Sequence, residues 1–236
     1  MVNVETIPLE IRNLTIQGGA NNGDAIQNLS VPVTLKHVTL TSSGGPAVFV
    51  STSFTMEDVT IANSVAGIVL NMGAALTIDG AVIHGGSAAI RAPNSGPIVN
   101  ITNLIVYDTN APIDFTNVTG SVRFSTLGDM AGSAQPSVIC NGFLTIESSI
   151  LWNAAAPTAA ATMGICDVTS SIVGPQAMGS LPNTDPMFVD HFNGDYHLTA
   201  ASPAIDQVTS GPATDFEGDA RPQGVRYDIG ADEYKP

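Results

Sequence analysis

Leu76-Thr77-Ile78-Asp79-Gly80-Ala81-Val82-Ile83 holds apolar side chains at its first, third, sixth and eighth places. The two-residue spacer reverses the alternation, which suits two short strands joined by a bend. The same eight-residue cassette starts at Leu9, Val33, Phe54, Leu76, Val99, Val122, Leu144 and Cys166, so successive starts are 24, 21, 22, 23, 23, 22 and 22 residues apart. Self-similarity at a fixed period of this size is the signature of a solenoid.

A third strand follows many cassettes: Ala47–Val50, Gly67–Leu70, Ala88–Ile90 and Pro112–Phe115. Three short strands per repeat predict an all-β, right-handed parallel β-helix of about eight coils over residues 1–184. Each coil would bond to the next about 4.8 Å along the axis. Like residues then stack in rows. The third place gives Ile11, Leu35, Met56, Ile78, Ile101, Phe124, Ile146 and Val168, an apolar row expected to line the interior. The sixth place runs from Leu14 to Leu127 and then meets Ser149 and Ser171, where a one-residue slip would turn Ile150 and Ile172 inward. A leucine-rich repeat shares the period but needs a helical return. The only helix-leaning run, Asn153–Met163, is broken by Pro157 and reads as a loop on one coil.

The chain has 236 residues, 44% of them hydrophobic but only 6% aromatic, so its core is built of small aliphatics. Seven Lys plus Arg against 21 Asp plus Glu give a net charge of −14. Such a surface repels phosphate backbones and anionic lipid, which argues against nucleic acid as a partner. It disfavours long anionic polysaccharides unless calcium screens the contact. No stretch approaches the ~20 apolar residues of a membrane span. Residues 2–10 do not read as a secretion signal, and the chain is expected to be a mature or excised region of something longer. Residues 1–8 offer the first coil almost no cover, so an upstream segment or a second chain is expected to make contact there.

After Val173 the repeat weakens. Ten of the 21 acids fall in residues 185–236, which read as a separate capping module. Its blocks are Asp185-Pro186-Met187-Phe188-Val189-Asp190, Gly194-Asp195-Tyr196-His197-Leu198, Ser202-Pro203-Ala204-Ile205-Asp206, Thr214–Gly224 and Asp228–Tyr234. In this order they resemble the end segment of bacterial right-handed parallel β-helix proteins of the choice-of-anchor Q type. That resemblance implies a secreted or cell-surface protein and carries no catalytic motif with it. On physical grounds a solenoid's last coil exposes an apolar cross-section and unpaired edges that must be covered. Phe188, Val189, Tyr196, Leu198, Ile205, Phe216, Ile229 and Tyr234 could supply the cover. Arg221 would pair with Asp215 or Asp228.

Five groups could carry chemistry. Asp215, Glu217 and Asp219 alternate as in a calcium loop, although the full EF-hand spacing is missing; the plainer reading is an acidic turn. Otherwise no cofactor is indicated. Glu57 and Asp79 share the fourth cassette place on neighbouring coils, at a spacing that suits a glycosidase pair, or else they are solvated turn residues. Thr34, Thr55 and Thr77, with Thr15, Thr39 and Thr60, form outward ladders that break at Asn100, Val82 and Ile105. An ice-binding face would be regular, whereas Thr is simply a good strand former. His37, His84, His191 and His197 show no ligand spacing and are expected in turns or the cap. Cys140 and Cys166 align as one strand position on successive coils, within reach of a disulfide that an extracellular setting permits.

The leading expectation is therefore a rigid, non-catalytic bacterial surface or secreted module for display, adhesion or contact with an extracellular polysaccharide. The alternative is a carbohydrate-active enzyme, a lyase or glycosidase, acting through acids near Glu57 and Asp79. Against it stand a single Trp, Trp152, and few cations on the coils.

Overall fold

The computed structural model describes residues 7–19, 23–41, 44–94, 96–111, 113–115, 118–129, 136–179 and 181–236. It is an all-β parallel solenoid of about seven turns. Eight strands stack in sequence order along one face: Leu9–Gln17, Val33–Thr41, Ser53–Ser64, Ala75–Gly86, Ile98–Tyr107, Thr119–Arg123, Val138–Glu147 and Thr162–Thr169. Past a bend, the second face is continued by Thr126–Gly128, Ile150–Trp152 and Ile172–Gly174. The third face carries Ile26–Asn28, Pro46–Val50, Ala66–Leu70, Ile90–Arg91 and Ile113–Phe115, and then the start of Val138–Glu147. No helix among the described residues is long and apolar enough to cross a membrane.

The bend has a stereochemical cause. The fifth cassette place is left-handed in every coil: Asn13, His37, Asp58, Gly80, Asn103, Phe124, Ser148 and Ser170, with φ between 45° and 82°. A single left-handed residue turns the strand, and Asn, Asp and Gly adopt that conformation at least cost. A second such row, Asn63, Gly85, Asp108 and Asp129, makes the next corner.

Phe124 corrects the sequence reading. The inward row passes from Ile101 to Val122 to Ile146, so the sixth cassette begins at Gly120, two residues before the expected Val122. Gly120 lies at φ 135°, and a Cβ there would sit 1.9 Å from the Val99 carbonyl oxygen, which excludes an apolar side chain. Phe124 therefore occupies the outer corner. The rest of the row is as expected, with Leu35, Met56, Ile78, Ile101 and Ile146 at most 1% exposed in one continuous core.

The expected slip at Ser149 does not occur. Ser125, Ser149 and Ser171 point inward and form a ladder. The Ser125 hydroxyl accepts from Leu104 N–H (3.2 Å), Ser149 from Ser125 N–H (3.2 Å) and Ser171 from Ser149 N–H (3.1 Å). Each hydroxyl donates to the carbonyl two residues back, at 2.7–2.9 Å. Every buried oxygen is thus partnered, so the polar row costs little. Ile150 and Ile172 keep their outward register and belong to a second apolar cluster.

That second cluster shows where the tail goes. Phe188, Tyr196, Leu198, Ala204, Ile229 and Ala231 pack on Ile105, Ile150, Trp152 and Ile172, the outward side chains of the second face. The tail lies along the flank of the later coils and does not plug the last one, as its apolar residues had suggested. Met178 and Leu181, in the connector between coils and tail, are the residues packed on the interior core near its C-terminal end. The seventh-place Thr ladder breaks for the same reason, although Thr126 keeps its place in that row beneath the tail, where it accepts Ala231 N–H. Thr15, Thr39 and Thr60 mark bare coils, whereas Val82, Ile105, Ile150 and Ile172 lie beneath the tail.

Cys140 and Cys166 are bonded, with Cα atoms 5.4 Å apart. They are not direct neighbours in register, as the alignment had suggested. Cys140 lies opposite Gly164 and Cys166 opposite Leu144, on either side of a bulge between Asn141 and Leu144. The bridge therefore runs diagonally between two adjacent coils.

Candidate functional site

Two short strands, Phe188–Asp190 and Asp195–Leu198, pair antiparallel around a 3-10 turn, His191–Asn193. Gly194 ends that turn at φ 85°; a Cβ there would meet the Tyr107 hydroxyl at 2.7 Å. The hairpin docks on an outward row of rings and glycines: His84, Tyr107, Gly128, Trp152 and Gly174. Gly128 leaves the slot that the Tyr196 ring enters, since a Cβ there would lie 2.6 Å from it. Tyr196 then contacts Tyr107 at 5.3 Å and Phe188 edge-on at 5.0 Å between centroids. His84 stacks on Tyr107 at 4.9 Å, with 3° between the planes.

Beside this contact a cleft of about 320 Å³ opens between flank and tail, lined by Tyr107, Asp108, Asp129, His191 and Phe192 among others. Asp129 is its anchor. One carboxylate oxygen bonds His191 Nδ1 at 2.5 Å and accepts the Tyr196 hydroxyl at 3.0 Å. The other accepts Ala155 N–H at 3.3 Å. Burial, with Asp129 adding to it, pushes the Tyr196 phenol well above its ordinary pKa, so it stays a donor. Burial, then Asp108, raises Tyr107 in the same direction. The Asp108 backbone N–H donates to the Asp129 carbonyl at 2.8 Å, and its exposed carboxylate makes no hydrogen bond or ion pair with the described residues. The Phe192 ring is 74% exposed and 4.0 Å from the His191 ring. The site thus offers a free carboxylate, an imidazole oriented by a carboxylate, and a bare aromatic face.

The residues singled out from sequence lie elsewhere. Glu57 and Asp79 are neighbours in register, as expected. Glu57, however, is paired with Lys36 at 2.5 Å, and Asp79 accepts Asn103 Nδ2 at 3.0 Å. Asp79 stands on the open first face beside the tail, where the same Asn103 amide also donates to the Thr214 carbonyl. Asp215 is buried and accepts the backbone N–H groups of Glu217 and Asp219, both at 2.9 Å, on one oxygen, and Glu233 N–H on the other. Glu217 turns to His197 at 2.9 Å, and Asp219 to Lys235. These acids build a turn. No group of three or more His, Cys, Asp or Glu among the described residues converges as a metal site.

The expected cap residues hold the tail to the flank. Arg221, with no exposed side-chain surface, pairs with Glu233 at 3.2 Å. It also donates to the Asp228 and Gly230 carbonyls and lies 5.3 Å over the Phe124 ring. The expected partners, the Asp215 and Asp228 carboxylates, are both occupied by backbone donors; Asp228 accepts Asp206 N–H and Tyr234 N–H at 2.7 and 2.8 Å. Ile205 packs at the margin of the flank cluster. Phe124 is 1% exposed at its strained corner because Arg221 and Tyr227 cover it.

Sequence reasoning missed Tyr107, Asp108, Asp129, His191 and Phe192. Asp108 and Asp129 carried a signal, since both follow their cassettes by two residues and stack at the second corner. The partner from residue 191 depends on where the tail docks. No family model, curated protein or solved structure matches the chain. The resemblance of residues 185–234 to the choice-of-anchor Q segment therefore rests on those sequence blocks alone.

Proposed function

We propose that this chain is a non-catalytic module of a secreted or cell-surface bacterial protein of the choice-of-anchor Q kind, and that it contacts glycans through the flank cleft. One observation carries this reading: an exposed Phe192 ring beside Asp108, in a cleft built on a rigid solenoid wall. Sugar rings present apolar C–H faces and hydroxyl edges, which call for an aromatic platform flanked by acceptors. The diagonal disulfide and the stacked coils suit an oxidising extracellular setting. A glycan array probed with the purified protein tests the reading. Binding to a defined glycan, lost in Phe192→Ala, is expected; no binding to any glycan, or binding that ignores the substitution, would overturn it.

A second reading, a carbohydrate-active enzyme, draws on the His191–Asp129 pair, because a carboxylate on Nδ1 orients an imidazole for proton transfer. Hydrolysis by two carboxyl groups fits this cleft poorly, since both Asp129 oxygens already accept hydrogen bonds. Release of reducing ends or unsaturated sugar from a polysaccharide, abolished by His191→Gln, would favour the enzyme.

A further inference from the structure

We infer that the flank cleft selects sugars bearing a free, protonated amine. This rests on the glycan-contact reading and adds the chemical class of the ligand. Among the described residues, the cleft lining holds two carboxylates and no Lys or Arg. Both Asp129 oxygens are already engaged within the fold, by His191, Tyr196 and the Ala155 N–H. Asp108 is the unengaged anion among the described lining residues. It follows Tyr107, whose ring is fixed between His84 and Tyr196. A cation seated at Asp108 would share the cleft with the exposed Phe192 ring, whose negative face attracts ammonium groups.

The remainder of the molecule supports the same sign. With a net charge of −14, the long-range field draws cations toward the surface and repels uronates and sulfated sugars. A neutral sugar would gain the aromatic contact and leave Asp108 uncompensated. An amino sugar gains both at once, its ring on Phe192 and its ammonium on the carboxylate. At about 320 Å³ the cleft is at the small end of ligand pockets, so it holds one or two rings of an oligosaccharide, with the remaining rings outside it.

The probes are three β-1,4-linked tetramers, of glucosamine, N-acetylglucosamine and glucose, titrated calorimetrically into the intact chain at physiological salt. The glucosamine tetramer should bind about tenfold or more tighter than the other two, the size expected of one charge-assisted hydrogen bond. Asp108→Asn should erase that preference. Asp167→Asn removes the same charge from an exposed site on the first face and should leave the preference intact. Equal binding of all three tetramers, or equal losses in both variants, would overturn the amine inference while leaving glycan contact standing. Failure of every tetramer to bind would overturn the amine inference, and a blank glycan array beside it would remove glycan contact as well.

Discussion

Replacing Arg221 by Met should loosen the tail from the flank without unfolding the coils. The guanidinium and the Glu233 carboxylate are both fully buried, 3.2 Å apart. Deleting the cation leaves an uncompensated carboxylate in a low-dielectric site, and breaking such a pair costs about 3–5 kcal/mol. The Asp228 and Gly230 carbonyls lose their donors, and Phe124 loses the cation over its ring. At 1.36 kcal/mol per power of ten, the open state of the tail should rise by about two to three and a half powers of ten. Amide exchange at Leu198 and Tyr234, whose N–H groups are held by Asp232 and Asp228, reads that opening directly. Amides at Leu35 and Leu40, on an early coil, should keep their protection. Adding Glu233→Gln removes the stranded charge but keeps an acceptor for only one of the Gln223 and Asp228 N–H groups, which Glu233 accepts on separate oxygens, so the double variant should recover about 1 kcal/mol. A cost below about 1 kcal/mol, or no recovery in the double variant, would refute the buried pair as the clasp of the tail.

The Cys140–Cys166 bridge closes a 26-residue separation, and its reduction should cost about 3 kcal/mol in urea unfolding. Intact mass after alkylation checks the bond itself, since two labels without reductant would reject it. The tail should also weaken as pH rises, in two windows. Burial raises Asp232 from 3.8 to about 6, so between those values the folded chain keeps a proton that the unfolded chain has released, and stability falls with increasing pH. For His197, burial alone would lower the pKa, but the hydrogen bonds to Glu217 and Asp195 outweigh it and hold it at about 9. Its contribution is complete below 6.5 and is lost as pH climbs to 9. Thermal melts of the native chain should decline across pH 6.5–9, and those of His197→Gln should be flatter there; a flat native profile would contradict the assignment.

The interior was legible in the sequence because stacking puts one physical demand on each cassette place. Ile78 and its row answer that demand with apolar side chains, and a period-2 pattern displays them. Reading failed where backbone geometry outranked hydrophobicity. Gly120 stands at a first place that tolerates no side chain, so the pattern matched two residues late and drew Phe124 into the wrong row. The inward serines failed for a related reason: a ladder of hydroxyls can satisfy itself inside the tube, and apolarity was taken as the only mark of an inward place. The tail announced its need for cover through Phe188, Tyr196 and Ile229, but those residues cannot say which apolar surface they meet. The surface had in fact left a trace, where Thr gives way to Val82 and Ile105 on the second face. The cleft combines both uncertainties, since Asp108 and Asp129 come from the coils and His191 and Phe192 from the tail.

An electron-density map of the intact chain tests the lateral docking of the tail most directly. Tyr196 is expected in the slot over Gly128, with Ile229 on the flank beside Ile105 and Ile150 and Arg221 above Phe124. Density placing those side chains across the open edge of Thr162–Thr169, with Ile150 and Ile172 turned inward, would contradict the flank, the cleft and the binding proposed for it.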